Sequence, residues 1–499
     1  MLAARTTAFF VAGAIATFAG ARAQAPSQDA QSAALLAKHR AYVGWQFGDG
    51  TFRTMRVSAS VTDEKGVKIE RIVRLYAGLL YHATYTPLKR DEATEHSGFT
   101  GNVFWHSSIN GFTTPVYGNE AKYLASFTVL QQEGTTELPA TFMGNKTVDG
   151  KSVGVVRVTL ANGDAIECDV DPQTGAYVAA KIDPGGSYES TLHILSYRDI
   201  VPGKKFIGSF RFDEEETVHS NDAVEPNVAV TADDFHPPAA TAFWSFGNGD
   251  PSAIKLTANR ILLDATVNGV KGRFILDTGA DGIVLDDRFA DRAKTQALRG
   301  SGEAETLYGS VPTRVRRVDT IAVGSATLHN ALVYSEDFRS RDYRGLDWAG
   351  YDGLIGYDLF AAAIVKLDVY GSKLAVLEPS SDVSSTNGIP LLVDLSDGVP
   401  AIPMTYDKTL AVNAILDTGN PGVAFIVRDA LTRYHLSTSL CGSVQGLTIG
   451  PITYLEPAAC TRGMPFSTKD VLLGYDFLKH FDYVFDYPHG RMFMTPNKN

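Results

Sequence analysis

Two copies of one set of marks, with their Asp-Thr-Gly triplets 140 residues apart, constrain this chain more than any other feature of its sequence. The first copy runs Asn268-Gly269-Val270-Lys271-Gly272-Arg273-Phe274-Ile275-Leu276-Asp277-Thr278-Gly279-Ala280, then Asp352-Gly353-Leu354-Ile355-Gly356-Tyr357-Asp358-Leu359-Phe360, then Leu367-Asp368-Val369-Tyr370. The second runs Val412-Asn413-Ala414-Ile415-Leu416-Asp417-Thr418-Gly419-Asn420, then Asp470-Val471-Leu472-Leu473-Gly474-Tyr475-Asp476-Phe477-Leu478, then Phe485-Asp486-Tyr487. The period is far longer than that of a solenoid repeat. Gly356 follows Asp277 by 79 residues and Gly474 follows Asp417 by 57, so the second copy is the shorter. Two half-domains of similar fold, facing one another, is the economical reading.

Between the marks the pattern is β. Residues 261–267 end at the Asn268-Gly269 turn, and Gly272 to Leu276 resumes as the return strand. Each Asp-Thr-Gly therefore stands just beyond a strand. Short helices are expected after the glycine marks, over 358–363 and 476–480, each followed by a strand.

The chemistry follows from what two copies can do and one cannot. Two carboxylates held within about 3 Å of each other do not both ionise comfortably, so the pair shares a proton. One member is then a base and the other an acid. A water between them loses a proton to the carboxylate and attacks a carbonyl carbon while the protonated partner stabilises the developing oxyanion. No metal, cofactor or covalent nucleophile is called for. The hydroxyls of Thr278 and Thr418 are placed to hold the two loops together, and Gly279 and Gly419 allow close backbone approach.

Asp277-Thr278-Gly279-Ala280-Asp281 and Asp417-Thr418-Gly419-Asn420, each with its later apolar-apolar-Gly mark, resemble the two lobes of an aspartic protease. The similarity is to a bacterial exported, retropepsin-like group carrying both lobes in one chain, and it covers about residues 253–499. The resemblance implies a catalytic dyad of Asp277 and Asp417, framed by Thr278, Gly279, Thr418 and Gly419, acting on protein or peptide substrates. Lobe 1 is assigned to 251–384 and lobe 2 to 385–499. Lobe 1 has room for a covering hairpin at 300–313, where Leu307-Tyr308-Gly309-Ser310 resembles the tip of a pepsin-type flap and Tyr308 would lie over the bound peptide. The shortened lobe 2 has little room for such a hairpin before Gly446. The copies also differ after the triplet, with Ala280 in one and Asn420-Pro421-Gly422 in the other. The alternative reading is a catalytically inactive peptide-binding or lipid- or lipoprotein-binding exported module.

Upstream of the repeat, Arg5 precedes an apolar run over 8–21 and Ala-x-Ala sites at 21–25, the pattern of a secretory signal peptide spanning 1–25. Export makes the protein periplasmic or extracellular. Residues 30–224 read as a separate β-rich unit opened by a short helix and then by residues 41–51. Alternating runs follow at 153–160 and 176–182, with Asp171-Pro172-Gln173-Thr174-Gly175 as a turn. Val148-Asp149-Gly150, that turn and Tyr197-Arg198-Asp199 resemble the curved half-barrel of periplasmic lipoprotein-carrier proteins. The likeness implies an apolar cavity for a lipidated ligand; an accessory domain that places substrate or anchors the protease is the other reading. Residues 225–250, rich in Pro and Asp, form the linker.

Composition narrows the function further. Lys and Arg total 45 against 56 Asp and Glu, a formal charge of -11, the wrong sign for nucleic acid as a partner. The 3 cysteines are too few and too scattered for a zinc site. Cys441 and Cys460 flank an expected hairpin and are candidates for a disulfide in an oxidising compartment, while Cys168, in an alternating segment, reads as a buried unreactive thiol. Gly150-Lys151-Ser152-Val153-Gly154 matches G-x-S-x-G in form, but a nucleophile elbow needs a helix after its serine and residues 155–160 read as strand. The fold class expected is mainly β: a two-lobed aspartic-protease fold preceded by a curved β-sheet half-barrel with short helices.

Overall fold

Each half of the C-terminal region is organised around one short buried strand threaded between two others. In the computed structural model, Gly353–Ile355 runs parallel to Val270–Leu276 on one side and antiparallel to Ile283–Asp286 on the other. Val471–Leu473 is threaded in the same way between Leu410–Leu416 and Val423–Phe425. Both threaded strands are buried along their whole length, which is why they carry only apolar residues and a glycine. The aspartates that precede them act alike. The Asp352 carboxylate accepts from the Arg273 N–H (2.9 Å) and the Asp470 carboxylate from the Asn413 N–H (3.0 Å), while each aspartate's own N–H donates to the carbonyl of that same residue (2.8 Å in both). The structure describes residues 29–497 apart from 91–92, 184–187, 214, 258, 307–308, 340–347, 349, 396–397, 407–409, 426–440, 444–445, 450–451, 455–457 and 462–468. The signal peptide expected over 1–25 lies outside the described residues.

Strand Ile261–Val267 meets Val270–Leu276 through Asn268 and Gly269, whose φ values of 48° and 80° are those of the tight hairpin turn that Asn-Gly favours. Among the described residues, lobe 1 is built on a ten-stranded sheet and lobe 2 on an eight-stranded one. A third sheet of six strands takes members from both copies, and it is joined where Val365 of Ile364–Asp368 pairs with Phe485 of Phe481–Asp486. Phe360 and Phe485 stack edge to face at 5.1 Å, and one apolar core runs from Phe274 through Phe360 to Met494. The short helices are Tyr357–Phe360 and Tyr475–Leu478, each starting one residue before its expected position. A hairpin is present at 302–313, where Gly302–Thr306 pairs with the start of Gly309–Val323; its tip, with Tyr308, lies outside the described residues.

Residues upstream form a curled half-barrel sheet of thirteen antiparallel strands, with Thr113–Val116 at one edge and Ala140–Val148 at the other. The strands follow chain order except where Thr54–Thr62 pairs with Val218–Pro226. Helices Ala30–Val43 and Gly118–Gln131 pack Leu35, Leu36, Phe127 and Leu130 onto Val156, Ile166 and Phe210 of the sheet. Residues 41–51 do not open the sheet. Ala41 to Val43 complete the first helix, which stops at Gly44 (φ 77°), and the first strand starts at Thr54. A side chain at Gly44 would put its Cβ 2.1 Å from the Gly203 carbonyl oxygen. Val43 and Trp45 anchor the helix end in a cluster with Met55 and Phe206. Cys168 is fully buried, and burial pushes its thiol far up. Ser152 lies in the strand Lys151–Thr159, as its apolar neighbours require.

On the half-barrel's side, the residues that fasten it to lobe 1 belong to no sequence motif. The Asn110 amide behaves like a strand neighbour of Leu332, donating to its carbonyl (2.8 Å) and accepting from its N–H (2.7 Å). Ser108 Oγ donates to Asp358 Oδ1 (3.1 Å), Thr114 Oγ1 meets the Tyr357 hydroxyl (2.6 Å), and Phe112 enters the core of the lobes. Beside this seam Glu95 is pushed up to about 8, mainly by burial, then by the carboxylates of Asp281, Glu70 and Asp358, with Arg90 opposing. Burial likewise raises Asp358 to about 6 against the hydrogen bonds from Asn110 and Ser108, with Asp281 adding to the rise.

Folded Glu95 holds its proton to higher pH than the unfolded chain does. Its contribution to stability is therefore complete below the ordinary glutamate range near 4.5 and is lost as pH rises through about 8. Glu95→Gln is expected to raise the melting temperature relative to the parent at pH 9 and to change it little at pH 4. Thermal unfolding at the two pH values checks this, and a gain confined to pH 4 would contradict it.

Candidate functional site

Asp277 and Asp417 are each held at the end of a strand by the threaded strand beside it: the Asp277 N–H donates to the Ile355 carbonyl (3.0 Å) and the Asp417 N–H to the Leu473 carbonyl (2.9 Å). The loops after them are closed by the Gly-Tyr-Asp marks. Tyr357 N–H donates to the Ala280 carbonyl (3.0 Å), and Tyr475 N–H donates to the Asn420 carbonyl (2.6 Å). A Cβ on Gly356 would come within 2.5 Å of the carbonyl oxygens of Ala280 and Gly282, and one on Gly474 within 2.2 Å of that of Gly422. These glycines are required by close packing, and they press each Asp-Thr-Gly loop into place. The sequence displays the marks in both copies, but their pressing role depends on threading that no local pattern encodes.

The two loops meet through their threonines. Each backbone N–H of Thr278 and Thr418 donates to the other's Oγ1 (3.0 Å both ways). Each Oγ1 in turn donates across the interface, Thr278 to the Leu416 carbonyl and Thr418 to the Leu276 carbonyl, both at 2.6 Å. Both threonines are 1% exposed, so the four bonds form in a site that water does not reach. With an N–H and a C=O from each side satisfied by one hydroxyl from the other, neither loop keeps its polar groups paired without its partner.

The geometry brings the two carboxylates together. A Cβ built on Gly279 would lie 2.4 Å from Asp417 Cγ, and one on Gly419 would lie 2.4 Å from Asp277 Cγ, so each glycine leaves the space that the opposite aspartate fills. Gly279 N–H donates to Asp277 Oδ1 (2.9 Å) and Gly419 N–H to Asp417 Oδ1 (2.8 Å). The copies differ at the next residue, where Asn420 N–H also donates to Asp417 Oδ1 (3.0 Å). Burial, then the charge and hydrogen bonding of Asp277, push Asp417 well above the usual carboxylate range, against those backbone donors. A pair so placed keeps a proton that an isolated aspartate would release, which is the state in which one group donates and the other accepts. Of the residues read from the sequence, Asp277, Thr278, Gly279, Asp417, Thr418 and Gly419 form this one cluster, and Tyr308 lies outside the described residues.

Residues 263–359 match the model of a family described as aspartyl protease, a stretch that includes Asp277-Thr278-Gly279 and Asp358. The matched stretch lies within lobe 1 and supports an aspartic-protease-like fold there. No curated protein matches the chain. Among solved structures, it is similar to an aspartic proteinase from Irpex lacteus at 15% identity and a TM-score of 0.35, over 50% of this chain and 97% of that one. It is also similar to a DUF1329 family protein from Desulfovibrio piger (12% identity, TM-score 0.30, over 41% of this chain and 96% of that one). A putative outer membrane lipoprotein-sorting protein domain from Vibrio parahaemolyticus is similar at 9% identity and a TM-score of 0.30, over 41% and 96% of the respective chains.

Thr278→Val keeps the shape of the side chain and removes the hydroxyl, leaving the Leu416 carbonyl without its donor and the Thr418 N–H without its acceptor. Two buried unpaired groups should cost on the order of 3 kcal/mol. Thr418→Val should cost about as much, and the double variant less than the sum, because the four bonds form one network. Urea unfolding of the three variants measures this; a loss below about 0.5 kcal/mol in either single variant would show that the loops meet without the threonines.

Proposed function

We propose that this protein is an aspartic endopeptidase that hydrolyses peptide bonds in protein or peptide substrates, with Asp277 and Asp417 as the catalytic pair. The observation that carries the reading is the mutual fit of each carboxylate into the space left by the other copy's glycine, with Asp417 raised by burial and by Asp277. The pair holds one proton. A water between the carboxylates gives a proton to the ionised one as its oxygen attacks the peptide carbonyl carbon, and the protonated one donates to the carbonyl oxygen. The resulting gem-diol gives a hydroxyl proton to the aspartate now ionised as its C–N bond breaks, and the nitrogen leaves with the proton that the other aspartate took from water, which restores the pair with one proton. Thr278 and Thr418 hold the two loops in register; Gly279 and Gly419 leave the space for the pair and donate to it. The hairpin at 302–313, with Tyr308 in its tip, covers the cleft in this reading.

The protein is exported after removal of residues 1–25. Among the described residues no helix is long and apolar enough to cross a membrane. An apolar or lipidated ligand at the half-barrel belongs to the same proposal. A groove of about 410 Å³ lies between Ala33, Leu36, Ala37 and Arg40 of the first helix and Thr136 to Pro139, with the Arg40–Glu137 ion pair (2.8 Å) among its lining groups.

Asp277→Asn and Asp417→Asn each remove one titrating group while keeping its size. Each is expected to lower kcat/KM on an unfolded protein substrate by about 10³-fold or more, with folding retained because one of two crowded acids is gone. The parent's rate should be bell-shaped in pH: below the lower apparent pKa of the pair no base remains, and above the upper no acid remains. Full cleavage by well-folded Asp277→Asn would refute the paired-carboxylate mechanism.

Lobe 2 supports a second proposal. The antiparallel register sets Cys441 directly opposite Cys460, while their side chains lie outside the described residues. In the exported protein the two form a disulfide that closes a loop of about 20 residues, worth roughly 3 kcal/mol in the loop-entropy model. Peptide mapping without reduction should recover the linked pair and leave Cys168 as a thiol. Recovery of both cysteines in alkylated form would count against the bond.

A further inference from the structure

The covering hairpin of lobe 1 is hinged on residues that cannot hold it themselves. Its base is the pair Gly302 and Thr313, reached through Gly300-Ser301, and from there Gly302–Thr306 pairs back to Gly309. Gly300 has φ 84° and Gly302 carries no side chain, so the pivot has little stiffness of its own. Five residues beyond the pivot make an arm of about 17 Å, so a small rotation at the base becomes a large displacement at the tip.

A turn of the half-barrel sits on this pivot. There Arg90 N–H donates to the Pro87 carbonyl (3.1 Å) and Ala93 N–H to the Arg90 carbonyl (2.8 Å). The Lys89 carbonyl oxygen lies 1.4 Å from where a Gly300 Cβ would be. The Arg90 guanidinium lies 2.4 Å from where a Gly302 Cβ would be, and its Nη1 donates to Thr313 Oγ1 at 3.0 Å. Thr313 is buried and Arg90 half-buried, so this charge-assisted bond is partly shielded from water. The guanidinium also lies 5.7 Å from the centre of the Tyr334 ring, and Ala93 and Ile109 pack with Val315 and Leu332 just past the hairpin. The absence of side chains at 300 and 302 is thus matched by atoms of another part of the chain.

We propose that the half-barrel, through Arg90 and the Lys89 carbonyl, fixes the angle of the 302–313 hairpin and so sets how tightly the cleft holds substrate. Arg90 is a positioning residue in this scheme: it touches the pivot and acts on substrate through the hairpin. The inference rests on the protease reading for what the hairpin covers, and on the contacts at 89–90 for what holds it.

The test uses the full chain carrying Arg90→Ala, Arg90→Lys or Thr313→Val, with folding checked by thermal unfolding. Amide hydrogen exchange at 302–306 and 309–313 is compared with that of the neighbouring strand Ile261–Val267. Arg90→Ala should speed exchange in the hairpin by about fivefold or more and leave the control strand unchanged. With a peptide substrate it should raise KM by roughly three- to tenfold and hold kcat within about twofold, the mark of lost binding with the chemistry intact. Arg90→Lys, which keeps the charge without the fork, should fall between, and Thr313→Val should add little to Arg90→Ala. Unchanged hairpin exchange in folded Arg90→Ala and Thr313→Val would overturn the proposal, whether or not any peptide is cleaved. Faster exchange with an unchanged KM would overturn the link to substrate affinity. A parent protein that cleaves nothing would count against the protease reading alone, and the exchange comparison would still decide whether Arg90 holds the hairpin.

Discussion

The four reciprocal hydrogen bonds between Thr278 and Thr418 are the constraint on which the rest of the C-terminal half depends. They pair the backbone of each Asp-Thr-Gly loop only when the other is present. In a site of 1% exposure, a lobe alone would leave buried N–H and C=O groups unpaired, so the facing arrangement is enforced by hydrogen-bond satisfaction as well as by apolar burial. The six-stranded sheet shared by the two copies and the core joining Phe360 to Phe485 work in the same direction at longer range.

From that constraint the electrostatics follow. Once the loops are locked face to face, the carboxylates next to the threonines have no route apart, and the glycines that follow leave them just enough room. Burial and proximity then raise Asp417 against the pull of two backbone donors, so the proton is retained because the fold withholds both water and distance. The same physics recurs at the seam with the half-barrel, where Glu95 and Asp358 are raised by burial beside Asp281, four residues after Asp277. Acidic groups are thus crowded both within the cleft and along the surface that joins the two parts of the molecule.

The half-barrel is more than an attached unit. Asn110 completes the edge of a lobe 1 strand, Ser108 bonds to the aspartate of the first Gly-Tyr-Asp mark, and Arg90 reaches the base of the hairpin. These contacts involve one loop-rich stretch of the sheet, from the turn after its third strand to the edge strand Thr113–Val116. The parts that look separable in the sequence therefore share polar groups in the folded chain.

The duplicated Asp-Thr-Gly and Gly-Tyr-Asp marks, the Asn268-Gly269 turn and the alternation around them determined the β class of the lobes, the position of each aspartate beyond a strand and the expectation that the two copies face each other. They could do so because turn chemistry and period-two alternation are local, and because a repeat doubles a local signal. Residues 41–51, read as opening the β-rich unit after its helix, carry the helix end and the turns before Thr54, with Trp45 anchoring them in the core. What only the tertiary structure decided is everything that depends on two distant segments meeting: the threading that makes Gly356 and Gly474 pack on the loops, the direction in which Asp417 is pushed, and the hold of Asn110 and Arg90 on lobe 1. Burial, desolvation and close approach are properties of the space between segments. A residue such as Arg90, with no pattern around it, takes on its role only when Thr313, 223 positions away, is folded against it.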